Sequence, residues 1–168
     1  MKQKINYIQI IFHFIATYFI IFSFQSYSWL HDIKLIELTE IHGAKNIMDN
    51  HEKYGITLKD ITFFSFWPSV ACLAGIVFAF VISIVISRFK KWSVWNSFIT
   101  LIIIYLLYRF DLLGWDYLRP FLSLGRFIDD YQSKFIINGS FLLLIGLVIF
   151  FSKRTNKLIQ NQFQKQTE

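Results

Sequence analysis

Four polar residues recur along an otherwise greasy N-terminal segment: Asn6, Gln9, His13 and Thr17, at steps of three and four. That spacing places them on one face of a helix. His13 is the member of this stripe able to carry a proton or ligate a metal. It falls about 13 Å along a helix from Lys4, near the middle of a bilayer. An ionisable group at that depth points to proton carriage, ligand binding or metal contact. The competing reading is a neutral imidazole hydrogen-bonded to another segment, with Asn96 and Thr100, one turn apart, as the nearest candidates. No carboxylate accompanies His13 and no second His lies in an apolar run, so the hydrogen-bonded reading leads. Haem held between two histidines is excluded by the same count.

Other chemistry-bearing residues gather outside the apolar runs. His31, His42 and His51 lie beside Glu40, Asp49 and Glu52. Spacings of eleven and nine match no usual zinc pattern, and His51-Glu52 lacks the later His that a zincin needs. Asp129-Asp130, with Asp116, Arg119 and Arg126, has the charges to hold a phosphate or a divalent ion, but adjacent acids also suit a solvated turn. Arg109 and Asp111 are two residues apart and do not face each other on a helix; Arg109 is expected to snorkel to headgroups. Asn138-Gly139-Ser140 lacks the frame of a nucleophile elbow. No P-loop, GxGxxG, HExxH or CxxC occurs, and the lone Cys72 excludes a disulfide within the chain. No cofactor or metal is implied.

The elements that carry these residues are set by lipid. Of 168 residues 55% are hydrophobic, 20% are aromatic and only 17% are charged, against about a quarter charged in soluble domains. The net charge of +6 resides at the ends of apolar runs, not on a basic stripe, which argues against a nucleic-acid partner. Four runs approach the roughly 20 residues a helix needs to cross a bilayer: about 5–29, 67–87, 94–113 and 135–152. The sequence therefore predicts an all-α polytopic membrane protein, a bundle of four transmembrane helices with short interfacial helices in the outer loops. The transmembrane domain covers 1–152, the outer loops 30–66 and 114–134, and a basic cytoplasmic tail, expected to fray into solvent, 153–168.

Orientation follows from charge density. Residues before the first run, the Arg88–Lys91 link and the tail carry nine Lys and Arg within about two dozen residues, with one acid, Glu168. The two longer loops hold eight basic and ten acidic residues. Short basic segments stay inside, so both termini are expected in the cytoplasm of a cell inner membrane. Tyr27, Trp29, Trp67, Trp92, Trp95, Trp115 and Tyr117 fall at the run boundaries, where amphipathic rings belong.

The second run has its own signature. Ala71, Gly75, Ala79, Ser83 and Ser87 recur every fourth residue, a row of small side chains that lets another helix approach closely. This run is expected to be the central helix, packing on the same chain or on a second copy, with the first favoured. Pro68 marks a start or a kink, after a short surface helix over 58–65 begun by the capping box Thr57–Asp60. In the first outer loop, Ile33, Ile36, Leu38 and Ile41 give a helix an apolar stripe that Gly43 ends. The partners are thus the bilayer and, through the second run, a protein partner or further copies. The leading function is a non-catalytic subunit or accessory component of a membrane assembly. An oligomeric channel, pore or carrier using the polar stripe is the alternative. A third is an enzyme acting on lipid-linked substrates through His42, Asp129 and Asp130.

Overall fold

A computed structural model describes residues 5–114, 118, 120, 121, 125 and 127–165. Lys2, Lys4, Trp115, Asp116, Tyr117, Arg119, Arg126 and Glu168 lie outside the described residues. Among those described there are helices and no strand. Seven α-helices follow in order: α1 Tyr7–Ser28, α2 Ile33–His42, α3 Ala44–Asp49, α4 Leu58–Phe89, α5 Trp95–Arg109, α6 Tyr131–Phe151 and α7 Lys153–Lys165. Short 3-10 turns at Trp29–His31 and His51–Tyr54 join the outer pieces. Three helical stretches, beginning at Tyr7, Leu58 and Tyr131, are long and apolar enough to cross a membrane.

The centre of the bundle is α1, not the second run. It touches α4, α5, α6 and α7, whereas α4 and α6 scarcely meet. The small residues explain the difference. Gly75 of α4 lies so close to α1 that an added Cβ would come 2.9 Å from the Ile21 Cα. At Gly146 of α6 an added Cβ would meet the Ala16 carbonyl oxygen at 2.9 Å, and at Gly139 the Tyr27 ring. Two helices thus place glycines against α1. The row on α4 packs within the chain: Gly75, Ala79, Ser83 and Ser87 are buried and Ala71 half-buried.

α4 runs unbroken through Pro68, so the short surface helix and the membrane helix are one element of 32 residues, about 48 Å long. The proline gives up its bond to the Phe64 carbonyl, but the helix continues. Its start is the Thr57–Asp60 capping box, with both reciprocal bonds made. A bilayer core is about 30 Å thick, so α4 has about a third of its length, here its first third, to spare beyond a single crossing. There Ile61 and Phe64 pack with Leu35, Ile47 and Ile56 from the outer segment. Gly43, at φ 82, separates α2 from α3. Leu35 and Leu38 face this small core, while Ile41 is 73% exposed.

α5 is shorter than the expected third run. Its 15 residues span about 22 Å. It ends where Asp111 takes a left-handed backbone, φ 55, and the Leu112 N–H reaches back to the Leu107 carbonyl at 2.8 Å. This is the bond pattern of a Schellman stop. Lys91, φ 57, closes α4 in the same way, with Trp92 N–H on the Ser87 carbonyl. After α5 the chain returns to α1, where the Tyr18 hydroxyl donates to the Gly114 carbonyl. Leu118 is buried with Phe19, Phe22 and Leu142, and Phe121 stands edge-on to Phe19. Leu118 and Phe121 of the second long loop therefore pack into the bundle beside α1 and α6.

The tail also differs from expectation. Residues 153–165 form α7, which turns at Ser152 and docks beneath α1. Ile159 is fully buried, Phe163 stacks on Trp92, and the Ile8 N–H donates to Gln162 Oε1 at 3.0 Å.

The glycine contacts yield a test. Gly75→Ala forces a methyl against backbone, which cannot swing aside. The expected loss of stability is about 1–3 kcal/mol, read from unfolding of the detergent-solubilised chain. Ala74→Leu, on the exposed side of α4, should change little. Equal stabilities for the two variants would disprove the close approach.

Candidate functional site

All four residues of the polar stripe on α1 are buried, none more than 4% exposed. Each is engaged. Asn6 caps α1 by accepting from the Gln9 N–H at 2.8 Å, and its amide donates to the Ile159 carbonyl of α7 at 3.0 Å. Gln9 donates to Ser87 Oγ at 2.8 Å and accepts from Asn96 Nδ2 at 2.7 Å. Asn96 Oδ1 in turn accepts from the Asn6 N–H at 3.2 Å. Thr17 donates to the His13 carbonyl at 2.7 Å.

His13 meets Ser83, with Nδ1 2.6 Å from Oγ. Asn96 and Thr100 are not its partners: Asn96 serves Asn6 and Gln9, and Thr100 donates to the Asn96 carbonyl within α5. The protons around Ser83 settle the role of the ring. Ser83 gives its hydroxyl proton to Ser97 Oγ at 2.7 Å, so His13 Nδ1 carries a hydrogen and donates to Ser83. Ser87 gives its proton to the Ser83 carbonyl at 2.7 Å, leaving Ser97 to donate to Ser87 across 3.2 Å. The Phe150 ring stands edge-on to the imidazole at 5.0 Å, and the Trp92 ring lies 6.3 Å away. Trp92 Nε1 donates to Gln160 Oε1 of α7 at 2.8 Å.

The row of small residues and the polar stripe are two sides of one contact. A step of four up α1 matches a step of four down α4, so Gln9 meets Ser87 and His13 meets Ser83. Further along, Ile20 and Ile21 meet Gly75. Serines oppose the polar residues and glycine opposes isoleucine. Nearer its C-terminal end α1 turns to α6: Ser23 donates to the Gly139 carbonyl, Ser26 to that of Phe135, and Tyr27 Oη lies 2.8 Å from Ser140 Oγ.

Chemically this is a lock between helices. The residual space beside it, lined by Thr17, Ser83, Ser97 and Thr100, is about 10 Å³, room for one water at most. The histidines of the outer segment are dispersed: His31 lies against Trp67, His42 against Tyr54, and His51 Nδ1 is 3.1 Å from the Ile56 carbonyl. Asp130 caps α6 by accepting from the Ser133 N–H at 2.7 Å; those hydrogen bonds from Ser133 hold its carboxyl below the usual range. Asp129 is exposed. Among the described residues no three His, Cys, Asp or Glu side chains gather where a metal would bind. Ser97, Gln160 and Gln162 are members that motif reading passes over; the signal for the latter two was Thr155, Ile159 and Phe163 at steps of four in the tail. No protein-family model, curated protein or solved structure matches the chain.

Because Gln9 and Asn96 satisfy each other, their losses should not add. In a double-mutant cycle of Gln9→Leu and Asn96→Leu, we expect a coupling of about 0.5–1.5 kcal/mol, within the range measured for buried polar pairs in membranes. The readout is unfolding of the purified chain. Strict additivity would disprove the paired arrangement.

Proposed function

We propose that the chain is a small integral protein of a cell inner membrane, crossing four times with both ends cytoplasmic, and that it serves as a non-catalytic subunit or accessory component of a membrane assembly. One observation carries this reading. The polar groups of the bundle interior hold its own helices together, while large apolar side chains such as Leu73, Val77, Val81, Leu144 and Val148 face outward. Hydrocarbon is the solvent that tolerates such a surface, and it requires the internal pairing.

The fourth crossing is supported by the order of helix ends. α5 starts beside Asn6 and Gln9, at one end of α1, and α6 starts beside Ser26, at the other. The stretch between them therefore travels the length of α1 although α5 alone is too short to do so. Both ends of the chain meet where Asn6 and Ile8 bind α7, and Arg88, Lys90 and Lys91 lie at that same end beside Trp92. The positive-inside bias puts this end in the cytoplasm. The layer of α2, α3 and the start of α4 then stands at the outer face, with α2 and α3 at the interface.

Partner contact falls to this outer layer, since α1 already occupies the small-residue row of α4. Ile41 and Met48 are the large apolar residues that α2 and α3 leave exposed. In mild detergent the protein mass of the purified assembly should exceed the 20.1 kDa of one chain, and Ile41→Glu should reduce it toward that value. A lone chain before mutation would refute the subunit reading. A fluorescent reporter fused after Glu168 should glow, being on the cytoplasmic side; a dark fusion with the chain still in the membrane would refute the topology.

A further inference from the structure

Between the 3-10 turn after α1, the start of α2 and the first three turns of α4 lies an open cleft of about 500 Å³. Its walls hold two polar atoms that the fold leaves without partners. Asp32 is 8% exposed and its Oδ2 is buried with no hydrogen bond; Trp67 Nε1 is likewise buried and unbonded. An unsatisfied buried carboxylate oxygen or indole N–H is costly. Burial pushes the Asp32 carboxyl up, opposed by His31 and reinforced by Asp60. The cleft thus lacks a donor at one point and an acceptor at another.

The remaining charges say what kind of molecule supplies both. Lys34 and Lys59 line the same cleft and are exposed. Lys34 Nζ donates to the Gly55 carbonyl at 3.1 Å, and Lys59 Nζ lies 5.6 Å from the Phe63 ring centre. Two acids, Asp32 and the exposed Asp60, beside two lysines and an indole donor suit a ligand bearing an ammonium and a phosphate. Below the cleft the same helix face continues. Phe63, Trp67, Val70, Ala74, Val77 and Val81 follow at steps of four and three, and the last four line an apolar groove of about 610 Å³ beside Phe24. From Trp67 to Val81 is about 21 Å of helix, enough to accompany an acyl chain through one leaflet of a core about 30 Å thick.

We propose that cleft and groove together bind a phospholipid with an aminoalkyl phosphate headgroup. Its ammonium pairs with Asp32, its phosphate lies between Trp67 Nε1 and Lys59, and its chains follow α4 from Val70 to Val81. The site rests on the membrane reading given above and on the outer position of α2.

The test uses the full chain in nanodiscs made from equal parts of phosphatidylethanolamine, phosphatidylcholine and phosphatidylglycerol, followed by detergent extraction and mass analysis of the lipid that stays bound. Phosphatidylethanolamine should be retained over each of the others by about ten-fold, as befits a charge-assisted pair. Asp32→Asn keeps the size of the side chain but removes the charge, and should bring the lipids within about two-fold of one another. Lys59→Ala should weaken retention of the favoured lipid while leaving its preference intact, which guards against an Asp32 variant that fails to fold. Equal retention by the unmodified chain, or undiminished preference in Asp32→Asn, would overturn the site. Displacement of the lipid by millimolar free phosphoethanolamine would assign the cleft to a soluble ligand and overturn the lipid assignment. A chain that never enters the nanodisc would instead refute the membrane reading itself.

Discussion

Everything in this bundle depends on the crowded position of α1. A helix enclosed by four others and away from water has no outside partner for its polar atoms, so each must be paired from within. Seven polar side chains make its contacts on two faces, Asn6, Gln9, His13 and Thr17, then Ser23, Ser26 and Tyr27, while Gln25 Oε1 near its last turn is buried without a partner. All seven are hydrogen-bonded, mostly to other helices. Individual bonds of this kind contribute modestly, about 0.6 kcal/mol on average in a membrane. The cost of leaving one unmade is larger. Their main effect is therefore on which arrangement is allowed, more than on how stable it is.

A shift of α4 by one turn shows how strictly the arrangement is held. Moved one way, His13 would face Ala79 in place of Ser83, and a polar ring would lose its partner. Moved the other way, Gln9 would face Lys91, beyond the helix, and Ile21 would meet the methyl of Ala79 where the backbones leave room only for hydrogen. Polar matching and steric fit reject both shifts. Fixing α4 then fixes much else. Ser83 and Ser87 bring in Ser97 of α5, Asn96 reaches Asn6, and Asn6 holds the Ile159 carbonyl of α7. At the far end, α4 carries Ile61 and Phe64 out to meet α2 and α3.

Composition and run length made legible the helical character and the helices apolar enough to cross a membrane, and the four-residue periods showed which residues share a face. What they lacked was the pairing between faces. The stripe on α1 and the small row on α4 were each visible, yet nothing in either says that serine belongs opposite Gln9 and His13. The centre of the bundle is α1 and not α4 for a related reason. Small residues mark the helix that lets another come close, and α4 and α6 both have them because both lean on α1. The third run could end at Tyr108 or extend to Leu113; α5 ends at Arg109, and the extension fails because Asp111 takes a left-handed backbone that has no sharp sequence signature. In the tail, the abundance of Gln and Asn outweighed an apolar repeat at Thr155, Ile159 and Phe163. There Gln160 and Gln162 act as tertiary hydrogen-bond acceptors.

Polar satisfaction is also uneven along the bundle, and the unevenness follows the expected solvent. None of the buried unpaired side-chain atoms among the described residues belongs to the seam; they are on Gln25, Asp32, Trp67, Ser93 and Asn156. Gln25, Asp32 and Trp67 lie toward the end where α1 stops, Ser93 and Asn156 toward the end where it starts. In hydrocarbon an unpaired group has no remedy, whereas near headgroups water or lipid supplies one. Completeness in the middle and incompleteness at the ends is therefore the pattern that helices long and apolar enough to cross a membrane call for. The end where α1 stops adds a further feature, since Asp32 and Trp67 border a cleft with room for more than a few waters. The seam is finished by the chain's own residues, and the cleft awaits chemistry from outside it.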